Sequence, residues 1–152
     1  MDVRIRLATS ADAEAVLIFL ALLATESEYT QQARLNRGHL EEQFRMLLEN
    51  PDAGCQIAET AEGQIVGVLG FLLYRHLISG ERGAGEVCWY VHPAWRRGLG
   101  RSLHAAAETW ARKQGACFIQ MLAPERKFEA YYRRCGYVPT DRVYERRLTC
   151  LG

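Results

Sequence analysis

The chain has 152 residues, 49% hydrophobic and 24% charged, which suits one domain with a buried core and excludes a disordered chain or a disulfide-dense mini-protein. Its 19 basic and 18 acidic side chains are unevenly spread: residues 1–94 hold 7 basic and 13 acidic groups, residues 95–152 hold 12 and 5. Seventeen of the cations are Arg, so the second half points to an anionic ligand, a solvated basic face or a nucleotide-composition bias.

The alternation of Val3–Leu7 predicts a first strand. Thr9 with Asp12 three positions on forms a capping-box-like start to a helix whose Val16, Phe19, Leu20 and Leu23 share one face. The polar stretch 25–32 reads as a loop. A second helix carries Leu40, Phe44, Leu47 and Leu48 and stops at Asn50-Pro51. Cys55–Thr60 and Gln64–Tyr74 read as strands joined at Glu62-Gly63, and IVGVLGFLLY is apolar on both faces, as a covered central strand should be. A glycine-bearing loop, His76–Gly85, then leads to a strand at Glu86–His92. Gly98–Gln114 is a strong helix, with Leu99, Leu103, Ala106, Ala107 and Trp110 inward and Gly115 as its left-handed cap. Cys117–Ala123 reads as a strand, Phe128–Cys135 as a short helix ended by Gly136, and Tyr137–Leu148 as one or two strands. The order β-α-α-β-β-β-α-β-α-β(-β) is an α/β fold with a mixed sheet that is not doubly wound.

The five cysteines are dispersed without CxxC or CxxH spacing, which argues against a zinc site and gives no disulfide framework; Cys88 and Cys117 read as small core residues. The start of the chain does not look like a signal peptide, and the longest apolar stretch is too short for a bilayer span. A cytoplasmic protein with no membrane partner is the expectation.

Chemistry concentrates in VCWYVHPAWRRGLGRSLHAAAETWA. A strand ends at Val91-His92-Pro93, a short loop holds Arg96 and Arg97, and Gly98-Leu99-Gly100 opens a helix. Glycines allow close backbone approach, amides at the helix start point outward, and Arg96, Arg97 and Arg101 add charge, so this is an anion site. It is neither a Walker loop nor a Rossmann fingerprint. A GxG at a helix start serves tight helix packing equally well. Further on, Tyr131-Tyr132-Arg133-Arg134-Cys135-Gly136-Tyr137 places aromatic side chains before a cap glycine, a pattern common in cores.

Taken together, IRLATSADAEAV, VHPAWRRGLGRSL and YYRRCGY, in that order, resemble the GNAT N-acetyltransferase superfamily over essentially the whole chain. The resemblance implies a single acetyltransferase domain over residues 1–152, with a mostly antiparallel central sheet and helices on both faces. It implies acetyl-CoA as co-substrate and no metal. Trp89, Tyr90 and Val91 would offer backbone groups to the pantetheine arm, and Arg96, Arg97, Gly98, Leu99, Gly100, Arg101 and Ser102 would hold the pyrophosphate. Tyr132 would protonate the departing thiolate, and an acceptor amine would attack directly in a ternary complex. Glu86 is the candidate base, acting through water; the bland alternative is a strand-edge carboxylate paired with an Arg. His92 and His76 are weaker candidates, His92 having a structural place in the VHP turn.

Three departures from the family pattern stand out. Trp95 occupies the usual Arg/Gln position three residues before Gly98, Glu125 stands where many members have Asn, and Gln120 replaces a Glu found in some acetylases of protein N-termini. The acceptor would be a small-molecule or peptide amine. Carboxylates at Glu26, Glu28 and Glu81, near Tyr29, suit a cationic one, although solvated loops would read the same. Two other functions stay open: an acyl-CoA sensor with little catalysis, and a nucleic-acid binder, the latter disfavoured because no such module is present. Members of this fold often pair through strands or helix faces, which leaves a homodimer open.

Overall fold

Two sequential hairpins over residues 53–91 build the middle of the sheet, because the connections at 61–64 and 76–81 are short enough to return the chain antiparallel. The computed structural model describes residues 2–26, 36–123, 126–141 and 146. In chain order the elements are β1 (Val3–Leu7), α1 (Ala13–Glu26), α2 (Arg37–Glu49), β2 (Ala53–Thr60), β3 (Ile65–Arg75), β4 (Arg82–Val91), α3 (Leu99–Lys113), β5 (Phe118–Gln120) and α4 (Arg126–Arg134). The spatial order is β1-β2-β3-β4-β5. All pairs are antiparallel except β4/β5, which α3 connects as a parallel crossover. Two compact units divide the chain, Met1–Leu122 and Ala123–Gly152.

In the first unit the sheet separates two apolar clusters. Cys55, Ile57, Val68 and Tyr90 pack with Val16, Phe19 and Leu20 of α1 and Phe44 of α2. On the other face Ala58, Leu69, Phe71, Leu73 and Val91 pack with Leu103, Ala107 and Ala111 of α3. Phe71, Ile57, Leu69, Leu103, Val16 and Val68 are the largest fully buried side chains. Each contributes about 1.5–3 kcal/mol of burial free energy, so the two clusters hold the helices to the sheet. The expected mixed, mostly antiparallel sheet with helices on both faces is therefore found.

Several boundaries differ from expectation. β4 begins at Arg82, so Gly83 and Gly85 are strand residues and the connection from β3 shrinks to His76–Glu81. Glycine is needed at 83 for a close approach: a Cβ there would lie 2.3 Å from the Phe118 ring of β5. Cys117 is exposed and lies outside the core. β5 is only Phe118–Gln120, shorter than the expected Cys117–Ala123. Of the closing strands expected in Tyr137–Leu148, residues 137–141 form none, and 142–145 and 147–148 lie outside the described residues.

The entry into α1 is held by charge. Thr9 and Asp12 form the expected capping box, the Thr9 amide donating to Asp12 at 2.7 Å. Arg6 of β1 donates two hydrogen bonds to Asp12, both 2.8 Å, and two to Glu59 of β2, at 2.9 and 3.1 Å. The guanidinium thus ties two strands to the start of a helix, and it holds the Asp12 carboxyl well below the usual carboxylate range. Arg6→Met is expected to lower the unfolding free energy by about 1–2 kcal/mol, a partly exposed cluster being worth less than a buried one. Because the folded-state pKa of Asp12 is depressed, the stabilisation is complete above its unfolded value of about 3.9 and is lost as pH falls. Urea denaturation of both proteins from pH 7 down to pH 2 should show the wild-type advantage shrinking in the acid range.

Candidate active site

β4 carries the candidate residues, and its two edges behave differently. Toward β3 it is paired along its whole length, from Arg82↔Arg75 to Val91↔Gly67. Toward β5 only Gly83, Gly85 and Ala84 between them are paired among the described residues. Beyond Gln120 the two strands part. The backbone of Glu86–Val91 then borders no strand on that side among the described residues, an edge about 16 Å long at the usual rise per residue. Such an edge can pair with the amides of an extended ligand as it would with another strand.

The fork has a local cause. Gly70 pairs with Cys88 while the next residue, Phe71, pairs with Glu86, so Val87 is the extra residue of a β-bulge. A bulge bends its strand and shifts the alternation of side chains. Glu86 consequently comes opposite Phe71 instead of sharing the face of Cys88. Its carboxylate accepts a hydrogen bond from the Leu122 amide at 3.0 Å, in place of a ladder bond between β4 and β5. Burial pushes the Glu86 carboxyl up to about 7, with the Leu122 amide pulling the other way. No ion pair of Glu86 with an arginine occurs among the described residues, so the bland alternative is not what the geometry displays. Nor does Glu86 open the strand, as expected from sequence; it lies in its middle. The nearby thiols are poor nucleophiles, since burial pushes Cys88 up to about 12 and raises Cys55 as well.

At its other end β4 runs into the loop of Arg96 and Arg97. The His92 amide donates to the Val66 carbonyl, and Pro93–Trp95 makes one 3-10 turn capped by His92, whose Nδ1 accepts from the Ala94 amide at 3.3 Å. His92 is therefore a turn-forming residue. Gly98, at φ +96°, adopts a left-handed conformation that glycine alone takes without strain, and it starts α3 as its N-cap. Its carbonyl accepts from the amides of Arg101 and Ser102. The amides of Leu99 and Gly100 precede any carbonyl four residues back, so they point out of the helix start, where the dipole favours an anion.

Gly100 lies on the strand: a Cβ there would be 3.5 Å from Trp89 and 3.9 Å from Val91. Arg97, Arg101 and Ser102 are exposed beside this opening, and Leu99 is half-buried. Arg96 turns back: its Nε donates to the Val91 carbonyl at 2.9 Å and its guanidinium stands 5.6 Å from the Tyr90 ring centroid. It staples the loop to the strand. Outward amides flanked by the exposed Arg97 and Arg101 suit a polyanion such as a pyrophosphate in charge, and no group of three or more His, Cys, Asp or Glu side chains suited to a metal occurs among the described residues.

Tyr132 belongs to the second unit. It is buried in α4, its ring 5.6 Å from that of Tyr131 and 5.5 Å from that of Tyr137, and the chain turns at Gly136 with the Tyr137 amide on the Tyr132 carbonyl. Glu86, Trp89, Tyr90, Val91, Arg96 and Gly98–Ser102 thus lie on one continuous strand–loop–helix of the first unit. Glu125 and Glu28 lie outside the described residues, as does the loop at 27–35. Sequence reasoning missed His104, buried in α3, stacked on Trp89 at 5.6 Å and 3.7 Å from Glu108; burial lowers its pKa. Its helical spacing from Gly100, Ala107 and Ala111 was the available signal. His76 and Glu81 take up hydrogen bonds within their own turn, both through Ser79.

The sequence matches the acetyltransferase (GNAT) family over residues 19–137. It is 30% identical over 111 residues to an aminoglycoside N(6')-acetyltransferase type 1 of Stenotrophomonas maltophilia, covering 67% of this chain and 71% of that one. Its fold is similar to that of a ribosomal-protein-alanine N-acetyltransferase from Brucella melitensis, with a TM-score of 0.76 at 20% identity over 97% of this chain and 100% of that one. It is also similar to AAC(6')-Iy in complex with a bisubstrate analogue, CoA-S-monomethyl-acetylneamine, with a TM-score of 0.74 at 18% identity over 99% and 100%.

The raised pKa of Glu86 has a consequence for stability. The folded chain holds this proton more tightly than the unfolded chain, so stability is greatest below the unfolded pKa of about 4.3 and falls as pH rises through about 7. Glu86→Gln should therefore be the more stable protein at pH 8, and its advantage should fade by pH 5.5. Urea denaturation of both proteins at these two pH values checks the sign.

Proposed function

The chain belongs to the GNAT acetyltransferase family, and from that premise we propose that it is an N-acetyltransferase moving an acetyl group from acetyl-CoA to a primary amine of a small molecule or peptide. The observation that carries this reading is the continuity of β4, with a proton-accepting carboxyl at its bulge and an amide cradle for a polyanion where it enters α3. The amides of Leu99 and Gly100, with Arg97, Arg101 and the Ser102 hydroxyl, would hold the pyrophosphate. Arg96 would keep the loop docked on Val91, while the backbone of Trp89, Tyr90 and Val91 would bind the pantetheine amides. Acetyl-CoA, when bound, supplies an activated acetyl group whose C–S bond breaks as the amide C–N bond forms.

The chain's own groups handle the protons. An acceptor amine is nucleophilic only without its extra proton, and Glu86, with a pKa near neutrality, is matched to take it, directly or through a water. The Tyr132 phenol is assigned the proton that leaves with the CoA thiol, an assignment resting on the family motif YYRRCGY. The 30% identical relative acts, by its name, on an aminoglycoside, which makes an amino sugar such as neamine one acceptor to assay. Arg97 and Arg101 of the basic half stand exposed at the helix start where the polyanionic donor would lie, a role for part of the charge asymmetry that needs no nucleic acid.

Acetyl-CoA at a hundredfold excess over its Kd should stabilise the protein by about 2.7 kcal/mol, visible as a rise in Tm. Thiol release over an amine panel should then show turnover. Binding without thiol release from any amine would favour the sensor reading, and no thermal shift would remove both. Glu86→Gln should lower kcat by about 10²–10⁴-fold and abolish the limb of the pH profile near 7, with acetyl-CoA binding retained. Tyr132→Phe should lower turnover and spare acetyl-CoA binding; equal loss of both would remove its acid role.

A further inference from the structure

The proton and donor chemistry leaves one buried polar ring without a task, that of His104 on α3. Among the described residues Gln56, Thr60 and His104 are the buried polar side chains, and His104 is the most buried of the three. A polar ring set against an apolar cluster costs desolvation that an aliphatic side chain would avoid. Its surroundings supply a reason for it.

His104 stands four residues after Gly100, on the same stripe of the helix. The register pairs Trp89 with Leu69 and Val91 with Gly67, so Trp89 and Val91 lie on the α3 face of the sheet, against the cluster that holds Leu103 and Ala107. The Trp89 indole touches α3 at two successive turns. Its six-membered ring would lie 3.5 Å from a Cβ placed on Gly100, and it is stacked on the His104 ring at 5.6 Å with the planes 22° apart. One turn further along, Glu108 comes within 3.7 Å of His104 Nε2 and within 3.5 Å of Arg112, so the imidazole is also approached at its edge. Burial lowers its pKa and favours the neutral ring, which stacks without desolvating a charge.

This contact joins the two halves of the donor site. Trp89 belongs to the stretch of β4 assigned to pantetheine, and Gly100 carries one of the amides assigned to the pyrophosphate. A ligand that touches both halves gains from their joint contacts only when the spacing between them is held. Arg96 ties the loop to the Val91 carbonyl. The stack ties the helix to Trp89: two flat rings in face contact resist tilting, whereas an aliphatic side chain fills the volume and lets the indole turn.

We propose that His104 is a positioning residue for the donor, its ring plane fixing Trp89 and thereby the spacing between the pantetheine stretch of β4 and the pyrophosphate amides of α3. The inference rests on the acetyltransferase reading and deepens it at the donor half of that site.

The test is calorimetric titration of the full-length protein with acetyl-CoA, run beside urea denaturation. His104→Leu and His104→Met keep a buried helix-forming side chain and remove the plane, and His104→Phe puts a plane back. His104→Leu and His104→Met should each raise the Kd for acetyl-CoA about tenfold without lowering the urea midpoint, and His104→Phe should return the Kd to within about threefold of wild type. A core position with no positioning role would move the midpoint and leave the Kd in place. An unchanged Kd in His104→Leu or His104→Met, a loss of affinity that only follows a fall in the midpoint, or a folded His104→Phe as weak as His104→Leu overturns the proposal. A wild-type protein that binds no acetyl-CoA overturns the acetyltransferase reading beneath it as well.

Discussion

The β-bulge at Val87 is the constraint on which the rest of the candidate site depends. One extra residue in β4 ends its partnership with β5 after three residue pairs and keeps its partnership with β3 intact. Among the described residues the second half of β4 borders no strand on that side, and proteins usually cover or blunt such an edge. Here the opening starts with a carboxylate that takes the first displaced amide, Leu122, so the ladder ends in a charge-assisted bond. The same event brings Glu86 into a buried setting and lifts its pKa to about 7. Strand geometry and acid–base chemistry are thus two outcomes of one insertion.

The two cores hold that fork in place from opposite faces. Ile57, Val68 and Tyr90 lock the sheet to α1 and α2, and Leu69, Phe71 and Val91 lock it to α3. Because α3 is packed on the sheet through Leu103, Ala107 and Ala111, its N-terminus is held at the end of β4. Preorganisation of this kind reduces what binding must spend on ordering the loop. The staple from Arg96 to the Val91 carbonyl serves the same end. It also divides the arginines: Arg96 is committed to the fold, and Arg97 and Arg101 stand exposed at the helix start.

Much of the fold was legible in the sequence because it rests on local rules. The capping box of Thr9 and Asp12, the Asn50 stop of α2, the Gly63 turn, the apolar run of β3 and the cap glycines 115 and 136 all express short-range sterics and periodicity. The GxG at residues 98–100 and the motifs around Tyr132 were readable for the same reason. Local rules misjudged the stretch 82–85, since two glycines suggest a loop. In the tertiary structure they are strand residues whose missing side chains make room for Tyr74 and Phe118. Cys117, placed in the core by its apolar neighbours, is exposed because β5 begins only after it.

The sequence by itself determined the family, the order of elements, the glycine-led start of α3 and the identity of Glu86 as a carboxylate worth attention. Only the tertiary structure decided that Glu86 sits at a bulge with the Leu122 amide, that Arg96 faces back onto the strand, and that Tyr74 and Phe118 stand edge-on over Gly83 and Gly85. The reason is physical. Periodicity and capping depend on residues a few positions apart, whereas a bulge depends on register across strands, and register is settled by the packing of both cores together.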